Sequence, residues 1–383
     1  MTIPHLRELL VDSGQARQRV SYRADMITVV LSLWVLLGVF LDAWAHNNLA
    51  QLETFFTPWH AVLYSGFVAL AGWICWILWR GVRDGRRGIA AVPVGYALAV
   101  LGAPLFALAG LGDYLWHTVF GIEQSLNILF SPTHLLLGVS MILVVTGPLR
   151  AAWSNPDLPA APGLRRLLPA ILSLAFPTAG VLLFLQYANA LVWDPDSIVF
   201  ALSNPMDGSV SHAGLLPSDL AAQIVVTSTV LLAPLLLLAR RWSVPAGMAT
   251  ILYVVVAGLC GAVTAFGLPS IPVALLVSGV LVDAILIRLV PAERHRGAFL
   301  ALGALAPLIT WSVYLAVASA WVGHLPAVVE YWTGIPVVTA LLGLVLAVLM
   351  QPTGSARHLD QVAARDLPGA VRDQFEADEP PLR

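Results

Sequence analysis

Residues 26–46 read MITVVLSLWVLLGVFLDAWAH, a long apolar run that ends in Asp42 and His46. A helix needs roughly 20 apolar residues to cross a bilayer, and this run has about that length. Nine further apolar runs follow it, at about 59–79, 89–117, 133–149, 167–192, 219–239, 244–266, 272–290, 298–320 and 332–350. The sequence therefore predicts an all-α polytopic membrane protein of about ten transmembrane helices, arranged as five outward-pointing hairpins.

The composition supports this class and narrows the range of partners. The chain has 383 residues, of which 58% are hydrophobic and only 11% are charged. Its mean hydropathy of +0.82 lies far above that of soluble proteins. A net charge of −2 gives no reason to expect a nucleic acid partner. Membrane lipid is the expected neighbour, and further membrane subunits or a homo-oligomer are the protein partners left open.

The distribution of arginine predicts the orientation. The chain contains no lysine, and every arginine falls on one side of the ten-span map. Arginines precede the first span, follow the second, fourth, sixth and eighth spans, and recur in the tail, whereas the five opposite loops contain none. Cytoplasmic loops of membrane proteins carry an excess of positive charge. We therefore expect a multi-pass protein of a bacterial inner membrane with both termini in the cytoplasm.

Changes in composition divide the chain into four parts. Residues 1–24 are polar and form a cytoplasmic N-terminal segment, and residues 25–150 contain four spans with an internal repeat. Residues 151–350 contain the other six spans. Residues 351–383 turn polar and acidic, which predicts a disordered cytoplasmic tail.

The internal repeat consists of residues that bind metals. Its first copy is Asp42-Ala-Trp-Ala-His46, then a loop containing Glu53, then Phe56-Thr-Pro-Trp-His60. Residues four apart on a helix share a face, so the aspartate and the first histidine should point the same way. Proline is favoured in the first turn of a helix, which places the second histidine at the start of the returning span. One end of this hairpin therefore offers two imidazoles and a carboxylate.

The second copy repeats this pattern in spans three and four. It reads Asp113-Tyr-Leu-Trp-His117, then a loop containing Glu123, then Phe130-Ser-Pro-Thr-His134. Ionisable side chains inside membrane spans are costly and usually mark function. The sequence therefore predicts a second set of two imidazoles and a carboxylate at the same membrane depth as the first.

Two histidines and one carboxylate with open positions suit a transition metal. The donor set matches the facial triad of non-haem iron(II), and copper or zinc would also suit it, because geometry alone does not choose among these metals. Ligating histidines usually donate their second N–H to a nearby acceptor. Glu53, Glu123 and Asn47 are the candidates for that role or for proton relay.

At these residues the sequence resembles one membrane component of the copper membrane monooxygenases, the particulate methane and ammonia monooxygenases. That family carries Asp-x3-His-x12-His with Phe-Thr-Pro-x-His at its second half, and residues 42–60 match it with one extra residue between the histidines. Its second motif has Asn-x3-His, an acidic loop and Pro-x-His. Residues 113–134 resemble that motif, with Asp113 in place of asparagine and a loop three residues longer.

The resemblance covers about residues 28–150 and implies two copper sites. One would consist of Asp42, His46 and His60, and the second of the corresponding residues at 113, 117 and 134. It also implies oxygen-dependent hydroxylation of a small apolar or lipid-soluble substrate at the outer leaflet. In the family enzyme this component works with two other subunits, one of which bears soluble copper-binding β-barrel domains. This chain has no β-rich soluble stretch, and its last six spans match no part of the family component.

The sequence is compatible with three other interpretations. The chain could transport or deliver copper or zinc without catalysis. It could be a b-type haem protein with His60 and His134 as axial ligands. It could also pool both clusters, together with Glu53 and Glu123, in a di-iron site, which requires the ends of the two hairpins to meet.

Overall fold

The computed structural model describes residues 11–49, 56–121, 129–204, 214–289 and 296–351. Within these ranges the chain is helical and contains no β-strand. The twelve described α-helices are α1 Tyr22–Asn48, α2 Pro58–Arg83, α3 Ala97–Phe120, α4 Pro132–Val145, α5 Gly147–Trp153, α6 Leu164–Phe184, α7 Pro195–Ala201, α8 Pro217–Arg241, α9 Met248–Val263, α10 Ser270–Leu289, α11 Arg296–Val322 and α12 Val329–Met350.

The described helices have the lengths and composition of a polytopic membrane protein. Seven of them are long and apolar enough to cross a bilayer, namely α1, α2, α3, α6, α8, α11 and α12. An eighth span results if α4 and α5, which meet at a bend of 40°, are counted together. α9 and α10 are shorter apolar helices. The predicted all-α membrane class is confirmed, while ten full crossings, five outward-pointing hairpins and the sides of the termini stay predictions.

Helices that follow one another in the chain pack in pairs. The closest pairs are α1 with α2, α3 with α4, α9 with α10, and α11 with α12. At the α1–α2 crossing, a side chain on Gly38 would run into the backbone of Leu63. Small residues let membrane helices approach closely, so glycine at this position allows the pair that carries Asp42, His46 and His60 to form.

Helix α6 lies at the centre of the bundle. About 72% of its most apolar 18-residue stretch is buried, against 22–50% of the corresponding stretch in the other six long helices. It packs against α1, α4 and α5, which precede it in the sequence, and against α8 and α9, which follow it. The helices that carry the repeat are therefore in contact with the second half of the chain through α6.

The polar segment before α1 lies against the connector between α2 and α3. Arg17 donates hydrogen bonds from its guanidinium to the carbonyls of Val92 and Pro93, both at 2.9 Å. The Gln18 carbonyl accepts from the Val94 N–H at 2.9 Å. These contacts hold residues 17–18 at the end of the bundle where α1 begins.

A buried carboxylate caps the start of α9 from a different helix. Asp283 of α10 is 5% exposed and accepts hydrogen bonds from the backbone N–H groups of Ala249 and Thr250 at 3.0 and 2.9 Å. The Thr250 hydroxyl donates to the same carboxylate at 2.6 Å. The first N–H groups of a helix have no partner within the helix, so this contact satisfies them inside an apolar core.

Candidate metal centre

The two copies of the repeat lie at the same end of their helix pairs. Asp42 and His46 are near the end of α1, and His60 is in the first turn of α2. In the second copy, Asp113 and His117 are near the end of α3, and the second histidine, His134, is in the first turn of α4. Each copy thus brings one helix C-terminal part and one helix N-terminal part together.

The first triad converges on its carboxylate. The Nε2 atom of His60 lies 3.3 Å from Oδ1 of Asp42, and the Nε2 atom of His46 lies 3.7 Å from Oδ2. The two imidazole centroids are 6.5 Å apart. Both histidines are less than 10% exposed, so the polar atoms of the triad face one another rather than solvent.

The second triad has the same arrangement. The Nε2 atoms of His117 and His134 lie 3.6 and 3.4 Å from Oδ1 of Asp113. The imidazole centroids are 5.6 Å apart, and the carboxylate is 1% exposed. A buried carboxylate is stable only with a compensating cation or hydrogen bonds, and the two histidine nitrogens are the nearest ligand atoms for such a cation.

The donor atoms fit the size of a transition metal ion. Within each triad, one ligand atom from each residue lies within 4.8 Å of the other two. Nitrogen and oxygen ligands bind such metals at about 2.0–2.2 Å, so ligands of one ion lie up to about 4 Å apart. Small side-chain movements would therefore bring all three donors to one ion. These groups could hold a metal, and the donor set alone does not identify it.

The repeated Thr/Ser-Pro-x-His sequence is a helix start. Thr57 and Ser131 are the N-cap residues of α2 and α4, and a proline follows each of them. Their side-chain oxygens accept hydrogen bonds from the backbone N–H groups of His60 and His134, both at 3.2 Å. Capping of this kind stabilises the first turn of a helix, so the motif fixes the position of each histidine within that turn.

Hydrogen bonds orient the second triad further. The Nδ1 atom of His117 lies 3.3 Å from the Gly121 carbonyl. Because a carbonyl only accepts, Nδ1 is the donor in this contact, and Nε2 is the ring nitrogen that lies near Asp113. Thr133 donates its hydroxyl to Oδ1 of Asp113 at 3.1 Å. Both contacts orient groups that could hold a metal.

Ser131 also contacts the side chain of the second histidine. Its hydroxyl oxygen lies 2.5 Å from Nδ1 of His134, so one serine holds both the backbone and the ring of the same residue. Contacts of this kind to the remote ring nitrogen orient metal-binding histidines. Neither Ser131 nor Thr133 is among the site residues predicted from sequence, although the former stands at the N-cap position of the repeated motif.

The two triads are neighbours in space. The rings of His60 and His117, one from each triad, have centroids 6.5 Å apart. The two triads therefore lie side by side, while bridging of both by one di-iron site stays a prediction.

A cavity of about 60 Å³ touches both triads. Its polar wall is made by the side chains of Asp42, His60, Asp113 and His134. The remaining wall is formed by Val39, Leu63, Phe106, Leu137, Gly138, Met141 and Phe184. Phe184 belongs to α6, so the second half of the chain completes a cavity that the repeat begins.

Tyr64 is a further residue of this region that was not predicted from sequence. It follows His60 by one helical turn, and the centroids of the two rings are 6.0 Å apart. A side chain on Gly110 of α3 would meet the Tyr64 ring at 2.9 Å. The i, i+4 spacing from a predicted ligand is the signal that could have identified this tyrosine.

Three residues are predicted as partners of the ligating histidines or as proton relays, namely Asn47, Glu53 and Glu123. Asn47 is exposed on the last turn of α1, and its role as a partner of a ligating histidine stays a prediction. Glu53 and Glu123 lie outside the described residues. His324 is exposed in the connector between α11 and α12 and belongs to neither triad.

No family model, curated protein or solved structure matches this chain. The candidate site therefore rests on its own geometry, and the resemblance to the copper membrane monooxygenases stays a prediction.

Proposed function

We propose that this protein is a copper-dependent oxidoreductase of the cell membrane that oxidises a small apolar or lipid-soluble substrate, by a reaction of the monooxygenase type. The observation that carries the proposal is the cavity of about 60 Å³ bounded by residues of both triads and otherwise by apolar side chains. A site that only stored metal would not need an apolar space beside its ligands.

The residues present suit copper better than a di-iron centre. Four imidazoles and two carboxylates face the two candidate positions. Di-iron proteins with helical bundles use sites rich in glutamate, whereas these triads contain twice as many imidazoles as carboxylates, and imidazole suits copper as well as iron and zinc. The prediction that Glu53 and Glu123 add carboxylates rests on residues that the structure does not describe.

Copper would supply redox chemistry with dioxygen at this site. The protein residues would bind and orient it. Asp42 and Asp113 would balance the charge of the cations in a buried setting, and Ser131 and Thr133 would hold the second triad in place. Val39, Leu63 and Phe106 would keep bulk water from the reacting atoms.

The proposed reaction has a defined balance. Hydroxylation of a C–H bond consumes one dioxygen and two electrons with two protons, and it places one oxygen atom in the product and the other in water. The electrons must come from an external donor, such as a membrane quinol. Apolar substrates and dioxygen dissolve in the bilayer, so they could reach the cavity without crossing an aqueous phase.

The cavity weighs against the haem alternative. Drug-sized ligands and cofactors occupy pockets of roughly 300–1,000 Å³, far more than the space beside His60 and His134. Transport is less well supported, because the charged side chains described on α1–α4 lie towards the helix ends, and the polar groups buried between them, such as Ser32 and Ser140, carry no charge. Ionisable groups along the membrane interior are typical of ion pathways.

The proposal is tested with protein purified in lipid nanodiscs and loaded with copper. We expect oxygen uptake with a chemical reductant, and equimolar hydroxylated product from short-chain hydrocarbons. The His60→Ala/His134→Ala variant should lose both, while His324→Ala, which removes an exposed histidine, should retain them. Oxygen uptake and product formation that are equal in all three proteins would overturn the proposal.

A further inference from the structure

A second cavity lies at the opposite end of the bundle from the triads. It has a volume of about 600 Å³ and is bounded by the start of α1, the segment after α5 and the start of α6. α1 has 27 residues, which corresponds to about 40 Å, and the triads are near its other end. This cavity is therefore separate from the candidate metal centre.

The charged residues of this cavity leave an excess of positive charge. Its wall includes three arginines and two aspartates, namely Arg19, Arg165, Arg166, Asp25 and Asp157. Arg19 is paired with Asp157 through a contact of 2.5 Å. The carboxylate of Asp25 accepts a hydrogen bond from the Tyr96 hydroxyl at 2.7 Å.

The remaining two arginines are exposed and lie in the first turn of α6. Gly163 is the N-cap of this 21-residue helix and has no side chain to accept from the first N–H groups. A helix N-terminus carries a partial positive charge and readily binds anions. The positive charges of Arg165 and Arg166 and the partial positive charge of the helix N-terminus are therefore close together at one wall of the cavity.

The rest of the wall is apolar. It is formed by residues such as Val20, Val94, Pro148, Leu158 and Pro169. A site for a fully soluble anion would not need such a surface, whereas a lipid presents a phosphate next to its hydrocarbon chains. The cavity lies beside the starts of two long apolar helices, where lipid headgroups are found.

We propose that this cavity binds a phosphate group, and that its source is the headgroup of an anionic phospholipid. Arg165 and Arg166 would contact the phosphate, since guanidinium groups match phosphate oxygens in geometry and charge. The apolar residues would contact the glycerol and the first carbons of the acyl chains. A bound lipid would connect α1, α5 and α6 at this end of the bundle.

The experiment measures lipid affinity of the delipidated full-length protein in detergent. The three probes are dioleoyl phosphatidylglycerol, dioleoyl phosphatidylcholine and inorganic phosphate, and binding is followed by native mass spectrometry and by the melting temperature. We expect phosphatidylglycerol to bind at least tenfold more tightly than phosphatidylcholine. Each basic residue near an anionic headgroup strengthens binding about fivefold, so Arg165→Gln/Arg166→Gln should weaken phosphatidylglycerol binding about 25-fold.

Two further variants separate this site from general surface charge. Arg80→Gln/Arg83→Gln removes the same charge from exposed residues of α2 that stack on Trp76 and Trp79 and do not line the cavity. Its affinity should stay within twofold of the wild type. Arg165→Lys/Arg166→Lys keeps the charge and should retain most of the binding. Without lipid, the glutamine and lysine variants should both keep the melting temperature of the wild type, which shows that they are folded.

The outcomes decide both the site and the source of the phosphate. Binding of inorganic phosphate that depends on Arg165 and Arg166, with no preference for the lipid, would support a phosphate site but assign it to the free ion. Equal phosphatidylglycerol affinity in the wild type and in Arg165→Gln/Arg166→Gln would overturn the proposal. So would equal affinity of the wild type for the two lipids.

Discussion

At the scale of single residues, the hydroxyl groups of Thr57 and Ser131 have the most specific roles. Each caps a helix through the backbone of a histidine two residues after the proline. Ser131 additionally contacts the histidine ring. The histidine of each candidate metal site and the start of its helix are therefore fixed by the same short motif.

The first prediction concerns Ser131→Ala. The variant removes the cap and the contact to Nδ1 of His134, so the ring loses its orientation. Loss of such a partner typically weakens metal binding 10- to 100-fold, and we expect a decrease in that range for one of the two sites. Copper titration with a competing chelator measures it. Ser131→Thr keeps the hydroxyl and should bind as the wild type does; equal weakening in both variants would contradict the assigned role.

The six predicted ligands could be identified from sequence because their spacing follows helix geometry. Asp and His four apart share a face whatever the surrounding structure is. Ser131 and Thr133 are not identified, because hydroxyl side chains in membrane helices have many uses and nothing in their spacing selects one. The spacing of Tyr64 from His60 points to the triad, but it does not distinguish a tyrosine of the site from one that only packs between helices. Only the folded structure shows that these side chains lie against a predicted ligand or beside a triad.

At the scale of helices, the cavity depends on the contact between α4 and α6. Gly138 lies on α4 opposite Phe184, the last residue of α6. A β-carbon at this position would come within 2.8 Å of two atoms of the phenyl ring. Glycine therefore leaves room for the ring that closes the cavity.

The second prediction is that Gly138→Ala impairs catalysis without removing the metal. The added methyl group would push the Phe184 ring into the cavity of about 60 Å³ and reduce the space for substrate. We expect product formation to fall at least tenfold while copper content stays unchanged. In Gly72→Ala the β-carbon meets nothing within 4 Å, so this control should keep full activity. Full activity in Gly138→Ala would show that substrate does not use this cavity.

The third prediction concerns the cap between α10 and α9. Asp283→Ala leaves buried donors of Ala249 and Thr250 without their acceptor, which should lower the free energy of unfolding by at least about 2 kcal/mol. The melting temperature in detergent measures the loss. Asp219→Ala removes an exposed acid from the first turn of α8 and should change stability by less than about 1 kcal/mol. If Asp283→Ala melted at the same temperature as the wild type, the role of Asp283 as a cap would be contradicted.

At the scale of the whole molecule, hydropathy alone predicts an all-α membrane protein, because a bilayer leaves few ways to satisfy the backbone. Where each helix bends or ends is set by local packing, which hydropathy does not report. The break between α4 and α5 and the end of α6 at Phe184 are examples. The closeness of the two triads also depends on tertiary packing and could not be read from the repeat.

The fourth prediction concerns topology. In a chain with Cys75→Ser and Cys260→Ala, we introduce Asp84→Cys after α2 or Leu325→Cys before α12, both at exposed positions. The arginine pattern predicts that a membrane-impermeant maleimide labels the cysteine at 325 in intact cells and the cysteine at 84 only after permeabilisation. The reverse pattern would invert the orientation and place the triads on the cytoplasmic side.

The central claim is that each triad holds one metal ion, and copper content of the purified protein tests it most directly. After loading and removal of excess metal, we expect two copper ions per chain in the wild type and in His324→Ala. His46→Ala/His60→Ala and His117→Ala/His134→Ala should each retain one ion, and the fourfold variant should retain none. In the absence of metal, each variant should melt at the same temperature as the wild type, which shows that it is folded. If the copper content is then the same in all variants, the triads do not hold the metal.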